Sequence, residues 1–188
     1  MKKTKNINYL ILAFSLLFLM LYNSSADASD LSTLPEQKIK AIYLYKFIHF
    51  ITWSDALLSA DNITIGILGK DDFGDAFSEV EGKRIKSLDK KLVIKRFGAY
   101  SDKLLLKNCH LLFISSSEKE NFKNITKQLS GKKILTFADT NGFLETGGMI
   151  KLIRVGEKIR WEINKIAIDN EEIRLNSQIF QLATKVIK

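Results

Sequence analysis

The chain has 188 residues, of which 46% are hydrophobic and 10% aromatic, and its 29 Lys and Arg against 21 Asp and Glu give a net charge of +8. This length and apolar content suffice for one folded domain with a hydrophobic core, which excludes a chain that is disordered throughout. The single cysteine excludes an intrachain disulfide framework and a cysteine-rich zinc module.

The first 28 residues have the pattern of a secretory signal peptide. Three lysines within residues 2–5 form a basic start, an apolar-to-neutral run follows over 9–22, and small side chains at 26 and 28 suit a signal peptidase. A membrane anchor is the alternative, but the run is shorter than the roughly 20 apolar residues that cross a bilayer. We therefore expect a cleaved signal peptide, 1–28, and an exported mature domain, 29–188.

Export changes the interpretation of the positive charge. Outside the cytoplasm the partner is not nucleic acid, and the available polyanions are anionic membrane surfaces, envelope polymers and acidic partner domains. Basic side chains concentrate at Lys83, Arg84, Lys86, Lys90, Lys91, Lys95 and Arg96. We interpret this segment as a solvated loop that runs into an edge strand, where lysines discourage pairing between sheets. A dedicated binding patch is the alternative.

The first predicted element of the mature chain is a helix from Glu36 to about Ile51. Pro35 at its start and an acid in its first turn are typical of a helix N-terminus. One apolar stripe consists of Ile39, Ile42, Tyr43, Phe47, Phe50 and Ile51. Leu44 and Ile48 lie off that stripe, so we expect this helix to be covered on more than one side, by its own domain or by a second subunit.

Strand-like and helical segments then alternate along the chain. Short apolar runs predict strands at 63–68, 92–97, 110–115 and 133–138. Helices are predicted from the turn at 69–74 to about 82, near 102–107 and over 118–129. This alternation is typical of an α/β layer structure with a largely parallel sheet.

A hairpin follows after Gly147 and Gly148. Strands at 149–155 and 158–163 are joined at Gly156-Glu157, and glycine at the first turn position favours a type II′ turn. The register that this turn imposes sets three pairs opposite one another, Leu152 with Trp161, Ile150 with Ile163 and Lys151 with Glu162.

The apolar spacing of Ile179, Leu182, Ala183 and Val186 predicts a closing helix from about Asn176. The predicted fold is therefore a single-domain α/β layered sandwich, with a mostly parallel sheet flanked by helices, a C-terminal hairpin and a closing helix.

The segments at 69–74 and from Asp139 resemble a phosphate-binding loop and a calcium-binding loop, but neither has the residues that such a loop needs. A P-loop needs Lys and then Ser or Thr directly after the second glycine of 69–74, and the chain has Asp75 and Ala76 there. A calcium loop that began at Asp139 would need a glutamate at its twelfth position, which is Ile150. We therefore interpret both segments as turns.

Cysteine, histidine and serine form no catalytic or metal-binding pattern. Cys109 and His110 are adjacent, and adjacent residues entering a strand point to opposite faces. His49 has no histidine or cysteine three or four residues away, and the chain has no Gly-x-Ser-x-Gly elbow. We therefore expect no catalytic residue, no metal and no cofactor, and a protein that binds rather than an enzyme.

Several segments together resemble one family. The motifs are AIYLYKFIHFITW over 41–53, IGILG over 65–69 with DFG over 72–74, NCHLLFI over 108–114, FAD over 137–139 with Phe143, GGMI over 147–150, IRWEIN over 159–164 and SQIFQLA over 177–183. Their order and spacing resemble those of the YfiR-like periplasmic protein family over residues 36–187.

This resemblance implies a bacterial periplasmic α/β protein, usually a homodimer, that contacts the periplasmic region of a membrane signalling protein. The best understood member represses a membrane-bound diguanylate cyclase by binding its sensor region, so that loss of the repressor raises cyclic di-GMP and biofilm formation. A shared fold does not fix this role. The alternative is a binding protein for a small molecule or envelope component that serves a transporter or a sensor kinase, with its ligand at the strand ends near Gly69 and 139–148.

For partner contact we select Tyr43, Phe47 and Phe50 on the first helix and Arg160 and Trp161 on the hairpin, with core packing as the alternative for the aromatic side chains. Gly69, Gly147 and Gly148 are interpreted as turn residues needed for their backbone conformation.

One cysteine position separates this chain from its apparent relatives. Family members often carry further cysteines that pair, including one at the position of Cys109, and this sequence offers no second cysteine. Redox control by an internal disulfide is therefore doubtful. A buried inert thiol is one interpretation, and an intermolecular bond is the other.

Overall fold

The computed structural model describes residues 34–53, 60–103, 106 and 108–188. The expected signal peptide lies outside the described residues, as does much of the helix predicted near 102–107. The helices are α1 (Glu36–Phe47), α2 (Phe122–Leu129), α3 (Lys165–Asn170) and α4 (Ser177–Gln181). The strands are β1 (Ile51–Thr52), β2 (Asn62–Leu68), β3 (Arg84–Ile85), β4 (Lys90–Gly98), β5 (Leu111–Ile114), β6 (Leu135–Ala138), β7 (Ile150–Val155), β8 (Lys158–Asn164), β9 (Arg174–Leu175) and β10 (Lys185–Ile187).

An eight-stranded sheet organises the domain, in the order β10-β8-β7-β6-β5-β2-β4-β3. Its centre is parallel, because β4, β2, β5, β6 and β7 pair in one direction. The hairpin strand β8 is antiparallel to β7, and β10 runs parallel to β8. The predicted α/β sandwich with a mostly parallel sheet is therefore confirmed.

Burial explains why the central strands are parallel and apolar. Every residue of β5 and β6 is buried, as expected for strands that are covered on both faces. One face packs on α1, with Leu44 and Phe47 in that layer, and the other packs on α2, with Phe122 and Ile125. The two helices thus cover opposite faces of the same sheet.

The hairpin register is confirmed pair by pair. Ile150 lies opposite Ile163, Lys151 opposite Glu162 and Leu152 opposite Trp161. Gly156 has a φ of +60°, and Glu157 has no positive φ, which agrees with a type II′ turn and excludes type I′. The predicted charge pair also forms, with Lys151 Nζ lying 2.8 Å from Glu162 Oε2.

The first helix is shorter than predicted. It ends at Phe47, a 3₁₀ turn covers Ile48–Phe50, and β1 begins at Ile51 to pair with β9. Leu44 and Ile48, predicted to lie off the main stripe, are 0% and 1% exposed and belong to the core. The helix is therefore buried more deeply on that side than the predicted stripe indicates.

The helix predicted after 69–74 is wrong. Residues 74–82 form successive tight turns, in which Ala76 N–H donates to Phe73 O and Ser78 N–H donates to Asp75 O. The rings of Phe73 and Phe77 pack at 5.0 Å inside the core and set the course of this segment.

The closing helix is also shorter than predicted. α4 ends at Gln181, Leu182 is exposed, and Val186 lies in β10, where it pairs with Ile163. The chain leaves the helix and joins the sheet at Thr184, whose N–H and hydroxyl both donate to Trp161 O. A sheet edge that can accept another strand thus overrides the helical spacing of the sequence.

Candidate functional site

The carboxyl ends of the central strands form one edge of the sheet. Gly69 follows β2, Ser115 follows β5 and Asp139 follows β6. From β2 the chain passes first to β4 on one side and then to β5 on the other, so the strand order reverses between β2 and β5. Ligands of open α/β sheets bind outside the carboxyl ends of the strands at such a point.

A buried lysine from α1 lies at this edge. Lys40 is 8% exposed, and its Nζ lies 2.6 Å from both Glu36 Oε1 and Asp139 Oδ2. Arg154 of the hairpin continues the network, with Nη1 lying 3.3 Å from Glu36 Oε2. We call Glu36, Lys40, Asp139 and Arg154 the edge network. It joins the first turn of α1 to the end of β6 and to β7.

The hydrogen bonds of the edge network favour the charged forms of Lys40 and Glu36. Burial opposes the charge of Lys40, but hydrogen bonds to Asp139 and Glu36 outweigh burial and raise its pKa. The hydrogen bond from Lys40 lowers the pKa of Glu36. The network therefore presents fixed positive and negative charges side by side.

Two adjoining cavities share Lys40, Ser116 and Asp139. The larger, of about 530 Å³, also reaches Glu36, Thr140, Asn141, Leu152, Ile153 and Arg154. The smaller, of about 50 Å³, extends toward Lys70, Asp72, Phe73 and Ser115. The combination of both charges, hydroxyl groups and a few apolar side chains suits a small polar ligand with more than one charged group.

Gly69 is required by the shape of this edge. Its φ is +91°, and a Cβ there would lie 2.6 Å from Ser117 Oγ and 2.8 Å from Glu118 Cγ. Ser117 Oγ also accepts a hydrogen bond of 2.9 Å from Lys70 N–H. The turn after β2 thus packs directly on the 3₁₀ helix that follows β5.

Phe47 and Trp161, selected from the sequence for partner contact, pack inside the domain. They are 1% and 5% exposed, and their ring centres lie 5.4 Å apart. Phe47 also packs edge to face on Phe137 at 5.0 Å, and Tyr43 lies 5.6 Å from Trp161. We call these four residues the aromatic cluster. Core packing, the alternative named for these aromatics, therefore describes Phe47 and Trp161, which in this conformation are withdrawn from a partner.

Tyr43, Phe50 and Arg160 are placed differently, because each is only half-buried. Their role in partner contact stays a prediction. Tyr43 lies on α1, Phe50 in the 3₁₀ turn Ile48–Phe50 and Arg160 on β8.

Gly147 and Gly148 shape the loop before the hairpin. Gly147 has a φ of +94° at the end of the 3₁₀ turn Leu144–Thr146. Gly148 lies against Phe143, where a Cβ would approach three ring carbons to 2.5 Å. The positive φ of Gly147 and the close approach of the Phe143 ring to Gly148 thus restrict both positions, and their interpretation as turn residues stays a prediction.

Cys109 and His110 lie apart from the edge network. Burial raises the pKa of the Cys109 thiol to about 12, and its Sγ donates to Leu111 O. His110 is also buried, and its Nδ1 accepts a hydrogen bond of 3.1 Å from Thr64 N–H. The thiol is thus protonated and enclosed, which describes the inert interpretation and not an intermolecular bond.

The residues that the structure describes lack two further features. Among them, His, Cys, Asp and Glu form no group of three or more that could hold a metal ion. None of the helices in the same part of the chain has the length and apolar character needed to span a membrane.

The edge network itself was not among the residues selected from the sequence. From the sequence, Asp139 belongs to a turn and to the strand ends 139–148 named for the alternative ligand, whereas Lys40 and Arg154 are not selected. The available signal was a lysine inside the apolar segment 39–44, with an acid four residues before it at Glu36.

Comparison with known proteins settles the family. Residues 37–184 match the model of the family described as YfiR/HmsC-like. The chain belongs to the YfiR/HmsC-like family. The resemblance drawn from the sequence motifs is thereby confirmed. No curated protein matches this YfiR/HmsC-like chain in sequence.

Two solved structures resemble the YfiR/HmsC-like chain at low identity. A conserved domain protein from Vibrio cholerae has a TM-score of 0.50 and 11% identity, over 81% of this chain and 60% of the other. An ABC domain from Streptococcus pneumonia, in complex with L-Trp, has a TM-score of 0.47 and 13% identity, over 70% of this chain and 58% of the other. The chain thus spans about three-fifths of each. The first similarity concerns the fold alone, and nothing is concluded from the second.

Proposed function

We propose that this protein is a periplasmic regulator that represses an inner-membrane diguanylate cyclase by binding the enzyme's periplasmic sensor region. Residues 1–28 direct export and are cleaved, and the mature domain, 29–188, acts as a homodimer by binding and not by catalysis. Repression limits cyclic di-GMP and, through it, biofilm formation.

Family membership is the observation that carries this proposal. The YfiR/HmsC-like match extends over residues 37–184, which is nearly all of the expected mature domain. The basic and apolar start of the sequence supports export. The rigid core of parallel strands supports a binding role, because it holds surface groups in fixed positions.

Repression by binding has a physical limit. A regulator that binds the inactive state of a sensor domain shifts that domain only by its difference in affinity for the two states. A hundredfold shift between the two states therefore needs about 2.7 kcal/mol of preference for the inactive state.

The proposal is tested by deleting the gene and measuring cyclic di-GMP by mass spectrometry. We expect a rise that the full chain reverses and that a chain lacking residues 1–28 does not reverse, since the second form stays in the cytoplasm. The tagged protein should also capture a membrane cyclase from detergent extracts. An unchanged cyclic di-GMP level together with no captured cyclase would overturn the proposal.

The proposed contact residues are the three half-buried ones, Tyr43 and Phe50 on the α1 side of the sheet and Arg160, whose side chain lies on the opposite face of β8 from Trp161. Arg160→Glu should weaken repression in cells while the melting temperature changes little, because Arg160 lies outside the aromatic cluster. Arg174→Glu is a matched control, because Arg174 is an exposed arginine on another strand. Equal loss of repression in the Arg160 and Arg174 variants would argue against this surface.

The edge network favours a second candidate function, the binding of a small polar ligand. Its cavities lie where open α/β sheets hold their ligands, and they present both signs of charge. Envelope metabolites screened by thermal shift should raise the melting temperature of the wild type and not that of Lys40→Met. A screen in which no compound stabilises the wild type would reject this candidate.

A further inference from the structure

The outer edge of β4 is covered over only part of its length. β3 pairs with Lys90 and Lys91 alone, and one step further Leu92 N–H donates to Lys83 O while its carbonyl accepts from Gly82 N–H. Beyond Leu92, none of the strands described in the sheet pairs with this side of β4. Among the residues that the structure describes, the edge is therefore open from Val93 onward.

The peptide groups on this open edge have a definite direction. Those of Leu92 point outward, because both are bonded to residues 82 and 83. Peptide groups alternate in direction along a strand, so those of Ile94 and Arg96 point outward too. A register shift opposite Ile67 and Leu68 ends this regular stretch near Gly98. The open segment 93–98 could thus pair with about six residues, or roughly 20 Å of extended chain.

The charges around this edge are positive and largely uncompensated. Arg84 pairs with Asp89, and Arg96 pairs with Asp71. Lys90 is half-buried and donates to Ala60 O. Four exposed lysines form no ion pair within the described parts of the chain, and they are Lys83, Lys86, Lys91 and Lys95. An incoming chain would meet these lysines beside the free peptide groups.

We propose that the open edge of β4 binds an extended acidic segment of another protein, which adds to the sheet as a further strand. Main-chain hydrogen bonds to Ile94 and Arg96 supply the docking geometry, and carboxylates that face the lysines select the partner. This inference rests on the proposed function in one respect, since it adds a second surface, toward the other end of the sheet from β8, through which the regulator holds its partner.

Two other occupants fit the edge less well. A second copy of this chain would bring its own lysines against the same lysines, and like charges oppose such pairing. A membrane surface would satisfy the charges but would leave the peptide groups of the edge without partners. An acidic strand satisfies both.

The binding step is tested with the full chain, exported and purified from the periplasm, and without any cyclase. The probe is a capped synthetic peptide of alternating glutamate and valine, seven residues long, and its binding is followed by fluorescence anisotropy. Hydrogen exchange measured by NMR then locates the contact. We expect saturable binding that protects the amides of Ile94 and Arg96.

Two sets of charge variants separate a defined site from general attraction. Changing Lys83, Lys86, Lys91 and Lys95 together to Gln should weaken binding at least tenfold. The matched control removes the same charge from exposed lysines near α2, by changing Lys119, Lys123, Lys127 and Lys132 to Gln. Its effect should stay within about twofold. Equal weakening by both sets would overturn the proposal.

Two backbone probes separate strand addition from attraction by charge alone. Arg96→Pro removes an outward N–H and should weaken binding tenfold relative to Arg96→Gln, which loses the same guanidinium contacts to Asp71 and Gly74 O but keeps the N–H. If Arg96→Pro does not fold, a peptide with N-methylated valines tests the same point on the unchanged protein. Undiminished binding of that peptide, or amide protection outside β4, would overturn the proposal.

The other occupants have their own signatures. Sedimentation on phosphatidylglycerol vesicles without binding of the peptide would show a membrane contact instead. Protection of the Ile94 and Arg96 amides in a dimer of the protein alone would show a second copy. If the peptide binds as expected and deletion of the gene leaves cyclic di-GMP unchanged, the edge site stands and the proposed cyclase partner fails.

Discussion

The two ends of α1 have opposite surroundings. Toward its carboxyl end, Tyr43 and Phe47 pack into the aromatic cluster on Trp161 and Phe137. In its first turns, Glu36 and Lys40 join the edge network with Asp139 and Arg154. One helix thus contributes to the apolar core and to the polar edge of the same sheet.

The two ends of α1 therefore have different roles, one in stability and one in holding charged groups at fixed positions. Burying an aromatic ring contributes about 2–3 kcal/mol without fixing any polar group in space. Ion pairs that remain partly exposed contribute about 0–1 kcal/mol each, but they hold charges at defined positions. We therefore expect substitutions in the aromatic cluster to reduce the free energy of unfolding, and substitutions in the edge network to act mainly on binding.

The largest expected effect is that of Phe47→Ala. Phe47 is 1% exposed, so its removal leaves a cavity among rings, and the free energy of unfolding should fall by about 3–5 kcal/mol. Phe47→Leu, which fills much of that space, should cost about 1 kcal/mol. Urea denaturation measures both. A loss below about 1 kcal/mol for the alanine variant would contradict the assignment of Phe47 to the core.

Gly69→Ala, at the polar edge of the sheet, should cause the next largest loss in the free energy of unfolding. A Cβ there meets Ser117 and Glu118 in addition to the strain of a φ of +91°, so we expect a loss of about 2–3 kcal/mol. Gly142→Ala is the control, because its φ is +89° and its Cβ would meet no atom within 4 Å. Equal losses in the two variants would show that backbone conformation alone accounts for Gly69.

Lys40→Met should cost only about 1 kcal/mol at neutral pH, because Glu36 and Asp139 keep access to water. The comparison with Phe47→Ala is direct, since both residues lie on α1. Chemical denaturation of the two variants in one buffer measures their losses in the free energy of unfolding. A loss of 3 kcal/mol or more for Lys40→Met would place the edge network, like the core, among the main contributors to stability.

The pH dependence of stability provides a smaller test of the same network. The pKa of Glu36 is lowered in the folded state, so its contribution is present above the unfolded pKa and is lost as pH falls through the folded one. Between about pH 5 and pH 3, the free energy of unfolding should therefore decline less steeply in Glu36→Gln than in the wild type. The pKa of Lys40 is raised, so its contribution is lost only in strongly alkaline solution. Identical acid profiles would exclude a role for Glu36.

The smallest expected effect is at Cys109. Because burial raises the pKa of its thiol to about 12, iodoacetamide should leave the native protein unmodified at pH 8 and should label it fully in urea. Mass spectrometry measures the extent of labelling. Rapid labelling of the native protein, or a disulfide-linked dimer, would restore the intermolecular interpretation.

The sequence predicts well wherever local chemistry decides the structure. The hairpin register follows from a two-residue glycine turn and from strict alternation, both contained within 15 residues of chain around 149–163. The parallel centre follows from the alternation of apolar runs with helical segments. Both features are properties of neighbouring residues.

Prediction fails where distant residues decide. The closing helix gives way to β10 because β8 offers an open edge for pairing, and 74–82 forms turns because Phe73 and Phe77 pack into the core. The ion pair between Lys40 and Asp139 joins positions 99 apart in sequence. Residue types alone contain no signal for such a pair. The sequence therefore indicates the strand ends near Gly69 and 139–148, but the partners of Lys40 emerge only once the sheet has placed both ends together.

The position of Trp161 allows its intrinsic fluorescence to report on the packing of three segments of the domain. The indole N–H donates to Ile179 O at 2.9 Å, while the ring packs on α1 through Tyr43 and Phe47. One buried chromophore therefore touches the first helix, the hairpin and the C-terminal segment together. In a Trp53→Phe background, a red shift of its emission on binding would show that a partner loosens α1 or the C-terminal segment from the sheet. Constant emission would show that the partner docks on a domain that stays closed.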